Sequence, residues 1–233
     1  MLTKLLPALT LVKSTVPANL LRFVIEMNNA KEEYPDFNIE LLDIIYKHEN
    51  SEDIICIKDK KESIPLQSSS SGIQSVVPLI LVLYYALNKR EFSSYVIEEP
   101  ECNLFPTKQV ELLKTIIRMI NEGDRTLTIT THSPYLLAAL NNLIFAGLMV
   151  DKYGEEIEKL IDKIIAKEYQ LKPGKCAVYS LGKDINGGEY CISILDETTG
   201  MIDFNFLDNV SELLGEEFSL LQRALTEFKK NDK

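Results

Sequence analysis

Apolar residues recur along this chain in two rhythms. Between Ala18 and Ala30, the positions Leu20, Leu21, Phe23, Val24 and Met27 predict a helix. Leu5 and Leu11 carry the pattern upstream, where Pro7 and Pro17 interrupt it. Phe37–Ile45 and Asp53–Ile57 are short runs rich in Ile and Leu, and the polar stretch His48–Glu52 predicts the turn of a strand pair. Ile73–Leu87 is almost wholly apolar and predicts a helix buried on most of its surface, bent at Pro78. Ser94–Ile97 reads as a strand that ends in acids. In Pro106–Asn121 the residues Val110, Leu113, Ile116, Ile117 and Ile120 share one helical face, and Gly123 is a natural stop. Thr126–Thr130 is a β-branched strand. Ser133-Pro134 then opens a helix as N-cap and first helical residue, running to about Ala146.

Beyond it the pattern predicts a charged helix over Gly154–Tyr169 and strands at Cys176–Leu181 and Glu189–Leu195. The turn Ile185-Asn186-Gly187-Gly188 joins those strands, and a last helix covers Phe206–Lys229. There is no internal repeat. Helices alternating with short buried strands indicate an α/β architecture, a sheet with flanking helices.

Composition changes this picture little. The 233 residues are 45% hydrophobic and 26% charged, ordinary for a globular protein with one large domain or two small ones. The net charge of −10 argues against nucleic-acid binding through the whole surface. The densest basic cluster, Lys58, Lys60 and Lys61, is broken by acids and reads as a solvated turn. Cys56, Cys102, Cys176 and Cys191 form no C-x-x-C pair, and His48 and His132 lie far from them in sequence, so neither zinc spacing nor a disulfide framework is present. A reducing cytoplasm is the expected compartment. The start, MLTKLLPALTLVKS, has a short, interrupted apolar stretch with no small-residue cleavage site, so it does not read as a signal peptide. Val76–Leu87 is shorter than the roughly 20 residues that span a bilayer, and no membrane contact is expected.

Three stretches carry candidate chemistry. Ser68-Ser69-Ser70-Ser71-Gly72-Ile73-Gln74 reads alone as a linker, yet a long apolar helix begins without a gap. A Ser/Gly loop at a helix N-terminus presents N–H groups and hydroxyls, which suits a phosphate. Tyr95-Val96-Ile97-Glu98-Glu99-Pro100-Glu101 delivers two consecutive carboxylates from a strand. Adjacent strand residues point to opposite sides, so one carboxylate can reach a metal and the other a water, the division that phosphoanhydride hydrolysis requires. A solvated acidic loop is the competing reading. Thr130-Thr131-His132-Ser133-Pro134 puts a histidine at the carboxyl end of a strand, where open α/β sheets bind ligands.

The order of the three decides more than any one. Loop, helix, strand and Glu-Glu, then helix, strand and His, resembles the second half of an ABC-type ATPase domain over roughly residues 64 to 147. SSSGIQ looks like the signature loop, VIEEPE like Walker B with the catalytic glutamate, and TTHSP like the switch histidine. The wording is most similar to the stand-alone AAA ATPases of the SMC and OLD-like branch, whose pattern E-E-P-E-x-x-L-x-P-x-x-Q is met by EEPECNLFPTKQ from Glu98 to Gln109. The resemblance implies the C-terminal half of a P-loop NTPase with a mixed sheet. It implies that ATP is held between two ATPase domains, in a homodimer or an ATPase–ATPase pair. Ser70, Ser71, Gly72 and Gln74 would then form the nucleotide-contacting loop, with Ser70 and Gly72 touching the terminal phosphate across the dimer. Glu98 would hold Mg2+, Glu99 would polarise the attacking water, and His132 would contact the terminal phosphate. Glu98 stands where most ABC-type proteins have Asp, Ile73 replaces an acidic residue and Phe105 a histidine. None of these removes an essential group.

A P-loop requires G-x-x-x-x-G-K-[ST], whose glycines let backbone N–H groups wrap the phosphates. Residues 1 to 71 hold no glycine, and Lys13-Ser14 matches only the last pair, so no Walker A motif is present. The expected organisation is a helix plus β-hairpin over 1–64 from an upstream ATPase lobe, the motif-bearing core over 65–147, and a C-terminal α/β part over 148–233. The Walker A segment is expected from an N-terminal half. No nuclease is expected in this chain, because Asp196, Glu197 and Asp203 lack metal-ligand spacing; a separate nuclease subunit fits relatives in anti-phage defence. A non-catalytic dimerisation or regulatory module is the alternative. A nucleic-acid clamp component is disfavoured by the net charge and the absence of coiled-coil heptads.

Overall fold

The computed structural model describes residues 17–58, 60, 62–90, 93–121, 123, 125–182, 190–203 and 213–223. The upstream positions Leu5, Leu11 and Lys13-Ser14 and the turn Ile185–Gly188 lie outside them. The chain divides into two compact units, Met1–Thr131 and His132–Lys233.

The first unit opens with α1, Ala18–Glu33, which starts after Pro17 and buries Val24, Met27, Ala30 and Lys31 along one stripe. It ends before Tyr34-Pro35, as a residue preceding proline disfavours the helical region. A four-stranded antiparallel meander follows: β1 Asp36–Ile39, β2 Ile44–Glu49, β3 Glu52–Ile57 and β4 Ser63–Pro65, in that order across the sheet. The expected single strand over Phe37–Ile45 is therefore two strands. A 3-10 turn at Glu40–Leu42, closed by Asp43 at φ 53°, reverses the chain between them. The turn expected at His48–Glu52 shrinks to Asn50-Ser51, because Glu49 pairs directly with Glu52. Both turn residues have positive φ, 50° and 64°, the conformation whose twist matches that of the flanking strands.

Next comes α2, Ser71–Lys89, longer at both ends than the apolar run predicts, with Pro78 inside it. Val76, Val77, Ile80 and Leu81 join Tyr46, Ile55, Leu112 and Ile116 in one core. A parallel pair completes the unit: β5 Ser94–Glu98, α3 Pro106–Asn121 and β6 Thr126–Thr130, with Ser94 level with Thr126 and Glu98 level with Thr130. The bounds of α3 and β6 are those the pattern predicts. Tyr95 and Ile97 turn inward; Ser94, Val96 and Glu98 share the open face, where Val96 is 69% exposed. Arg125, just before β6, donates from Nη2 to the Leu87 carbonyl at 3.1 Å and from Nη1 to Met119 at 3.3 Å, gripping the last turns of α2 and α3.

In the second unit, α4 spans Pro134–Tyr153 behind the N-cap Ser133, whose hydroxyl accepts from the Leu136 N–H at 3.3 Å. It passes the expected end at Ala146 because apolar residues continue, and it stops at Gly154, φ 67°. Gly147 faces Leu171 so closely that a Cβ would overlap the Leu171 carbonyl. The charged helix expected over Gly154–Tyr169 breaks into α5, Glu155–Ile161, and a 3-10 turn at Lys167–Tyr169. The break is held by the Asp162 carboxylate, which accepts from the Lys167 N–H at 2.7 Å. A short antiparallel pair follows, β7 Tyr179–Leu181 and β8 Cys191–Ser193, each shorter than its apolar run. Residues 213–223 are helical, within the expected last helix.

The molecule is mixed α/β. Its described strands fall into three sheets rather than one. By length and composition α2 and α4 could each cross a membrane, which revises the shorter span read from Val76–Leu87; α2 instead buries its apolar side chains in the core of the first unit.

Candidate functional site

The serine run is an ordered, hydrogen-bonded loop. A 3-10 turn, Leu66–Ser68, follows β4 and anchors on the buried Leu66. Ser69 Oγ donates to the Leu66 carbonyl at 2.6 Å. Ser70 is the N-cap of α2, its hydroxyl accepting a long 3.5 Å bond from the Ile73 N–H. The Gln74 amide donates to the carbonyls of Gln67 at 3.1 Å and Ser69 at 2.8 Å, so this side chain braces the loop from inside. Ser70 and Ser71 remain exposed at the first turn of the helix. There the N–H groups of a helix N-terminus favour an anion.

Gly72 points the other way. It is buried, and a Cβ there would stand 2.8 Å from the Asn103 carbonyl oxygen and 3.1 Å from Leu104 Cδ2. The glycine thus lets the serine loop rest on the loop that follows β5. Asn103 Nδ2 donates to Ser75 Oγ at 3.3 Å across the same seam. Gly72→Ala is expected to destabilise the protein by about 1–3 kcal/mol through overpacking against backbone. Helix propensity alone would favour Ala by about 1 kcal/mol, so the sign of the change in thermal midpoint tests the packing.

Glu98 ends β5 exposed on the open face, level with Thr130. The expectation that Glu98 and Glu99 face opposite sides assumes extended backbone through both. Glu99 instead has φ 43° and leaves the strand, its N–H donating to the Thr130 carbonyl at 2.9 Å. Its carboxylate is exposed, and Oε2 accepts from Cys102 Sγ at 3.2 Å. That hydrogen bond, followed by burial, pushes the Cys102 thiol above its ordinary value. Glu101 turns inward, 7% exposed, and accepts from Thr131 Oγ1 at 2.5 Å.

The fold of the first unit therefore joins the serine loop to the Glu98–Leu104 loop. His132 opens the second unit, exposed, directly before the cap Ser133. Among the described residues no three His, Cys, Asp or Glu side chains cluster. Sequence reasoning gave no role to Glu101, Thr131 or Asn103; Glu101 was in view as the last residue of EEPE.

Residues 12–137, more than half of the chain, match the family model described as AAA ATPase domain. The chain belongs to that family. The segment matched by the AAA ATPase domain contains the serine loop, both glutamates and His132. A solved chain from work on ATP-driven dimerization and DNA-stimulated activation of SMC ATPases is similar over 84% of this chain and 92% of that one, with 11% identity and a TM-score of 0.42. No curated protein matches this AAA ATPase domain.

Proposed function

We propose that this AAA ATPase domain is the C-terminal half of an ATP-hydrolysing unit of the SMC and OLD-like branch. The observation that supports the reading is the seam at Gly72, where an exposed helix N-terminus packs on Asn103 and Leu104 of the loop that begins with Glu98 and Glu99. Ser70 and Ser71 meet the terminal phosphate with hydroxyls and N–H groups, Gly72 adds its backbone, and Gln74 holds the loop in shape. Glu99 accepts the proton of the attacking water. His132 hydrogen-bonds the terminal phosphate.

The exposed oxygens of Glu98, level with the Thr130 end of β6, are the hard donors that Mg2+ takes, and the cation keeps several waters and needs no cage of carboxylates. When bound, Mg2+ neutralises charge on the phosphates. Because the chain carries no Walker A motif, the P-loop comes from an N-terminal half or a partner, and the working form pairs two ATPase domains. The open face of β5 and β6 supports a further covering element, since parallel strands are ordinarily buried on both faces. A separate nuclease subunit, a cytoplasmic location and a role in anti-phage defence or DNA maintenance complete the proposal.

The test is turnover of Mg-ATP by this chain alone and mixed with the polypeptide encoded just upstream. Turnover only in the mixture is the expected result. No turnover and no bound nucleotide in either would leave a non-catalytic dimerisation module, with its motifs inherited and idle.

A further inference from the structure

Glu101 is a carboxylate buried to 7% exposure that no step of the proposed hydrolysis uses. Carboxylates are seldom buried without a specific partner. Its Oε1 accepts the Thr131 hydroxyl at 2.5 Å. Two residues earlier in the same loop, the Glu99 N–H donates to the Thr130 carbonyl at 2.9 Å. Two consecutive residues at the end of β6 thus hold two residues of the loop after β5. The first bond comes from backbone and the second from side chains.

We propose that Glu101 and Thr131 form a lock that positions Glu99. Pro100, between Glu99 and Glu101, has no N–H to donate to β6. Glu99 needs such a lock, since its φ of 43° is a region that side chains other than glycine and asparagine seldom adopt, and it persists only where the surroundings impose it. The loop reaches the required curvature through two further local bonds, Cys102 N–H to the Glu99 carbonyl at 3.1 Å and Leu104 N–H to the Glu101 carbonyl at 3.0 Å. Both lie within the loop and cannot fix it to β6. The Glu99–Thr130 and Glu101–Thr131 bonds cross to the neighbouring strand. Glu101 and Thr131 are positioning residues and touch no substrate. This inference rests on the ATPase reading for its meaning, though not for its test.

The experiment follows amide hydrogen exchange in the full chain by NMR. In Thr131→Val, which keeps the shape and removes the hydroxyl, exchange of the Glu99 amide is expected to quicken about tenfold. The amides of Leu127 and Ile129 inside β6 keep their protection. Thr131→Ser, which retains the hydroxyl, restores slow exchange at Glu99. Glu101→Gln keeps an accepting oxygen and gives an intermediate rate, and it serves as the second variant if Thr131→Val folds poorly. An unchanged Glu99 rate in Thr131→Val overturns the lock, and so does an equal loss of protection across β6, which would mark a purely structural role. Neither outcome touches the ATPase reading, which stands or falls on turnover in the mixture.

Discussion

Under the proposed function, Glu99→Gln is expected to lower turnover of the complemented ATPase by about 100- to 10,000-fold, the usual contribution of a positioned general base. That range corresponds to about 2.7–5.5 kcal/mol of lost transition-state stabilisation. Glutamine keeps the shape of the side chain and can still accept the Cys102 thiol, which now lies 3.2 Å from Oε2. It cannot take a proton from water at neutral pH. Binding of Mg-ATP is expected to stay within about threefold, because the phosphates are held by other groups, so the loss appears in kcat and not in KM. Single-turnover release of the terminal phosphate, measured beside equilibrium nucleotide binding, separates the two. A variant that turns over within twofold of the parent sinks the assignment of Glu99 as the base.

Asp53→Ala is expected to lower stability by about 3–5 kcal/mol, the cost of stripping one partner from a buried ion pair. Lys31 is 6% exposed on the inner face of α1, and its ammonium lies 2.5 Å from Asp53 Oδ2. The other carboxylate oxygen accepts from the fully buried Tyr46 hydroxyl at 2.6 Å and sits 2.8 Å from His48 Nδ1. Alanine leaves a buried cation without a counter-charge and a buried hydroxyl without this acceptor. Adding Lys31→Met to Asp53→Ala should recover part of the loss, since an apolar pair has no stranded charge.

The pair also sets an acid limit. Burial is the largest single influence on Asp53 and pushes its carboxyl up. The hydrogen bonds from Lys31 and Tyr46, with the Lys31 charge and the His48 bond, outweigh it and hold the carboxyl below its ordinary 3.8. A lowered folded value means that the stabilisation is complete above 3.8 and is lost as pH falls through the folded value. In urea unfolding, the gap between parent and Asp53→Ala should hold steady from neutrality down to about pH 5 and narrow below about pH 4. A loss under about 1 kcal/mol at neutral pH, the worth of an exposed pair, would show that the cluster is solvated.

The parts of this molecule that could be read in advance are those whose signal is local. Helix α3 announces itself through Pro106 and a stripe at Leu113, Ile116, Ile117 and Ile120, and β6 through its β-branched run. The meander departs from the sequence pattern because Asp43 and Asn50-Ser51 reverse the chain through left-handed backbone without a glycine. Helix α4 runs past the expected end because the composition stays apolar beyond Ala146 and the stop, Gly154, lies further on. At the candidate site, the order of the three stretches along the chain is what singles out their residues. The reason for Gly72 was not, since it depends on Asn103 arriving against it from another loop. The Glu101–Thr131 bond and the Lys31–Asp53 pair were equally hidden, because each joins residues far apart in sequence.

Arg125 has a consequence for how the serine loop is aimed. One prong of its grip pins α2 at Leu87 and the other holds α3 at Met119, while Ser71 sits at the first turn of α2, about 24 Å from Leu87 at 1.5 Å per residue. The helix is then a lever with its fulcrum at the guanidinium. Each degree of tilt swings the serines by about 0.4 Å over that length, close to the tolerance a designed ligand site allows. The near end rests on Asn103 through Gly72, and Pro78, between the two supports, has no N–H to give the rod an internal bond. The aim of the loop is thus trimmed from the opposite end of the helix, by a side chain that no motif contains.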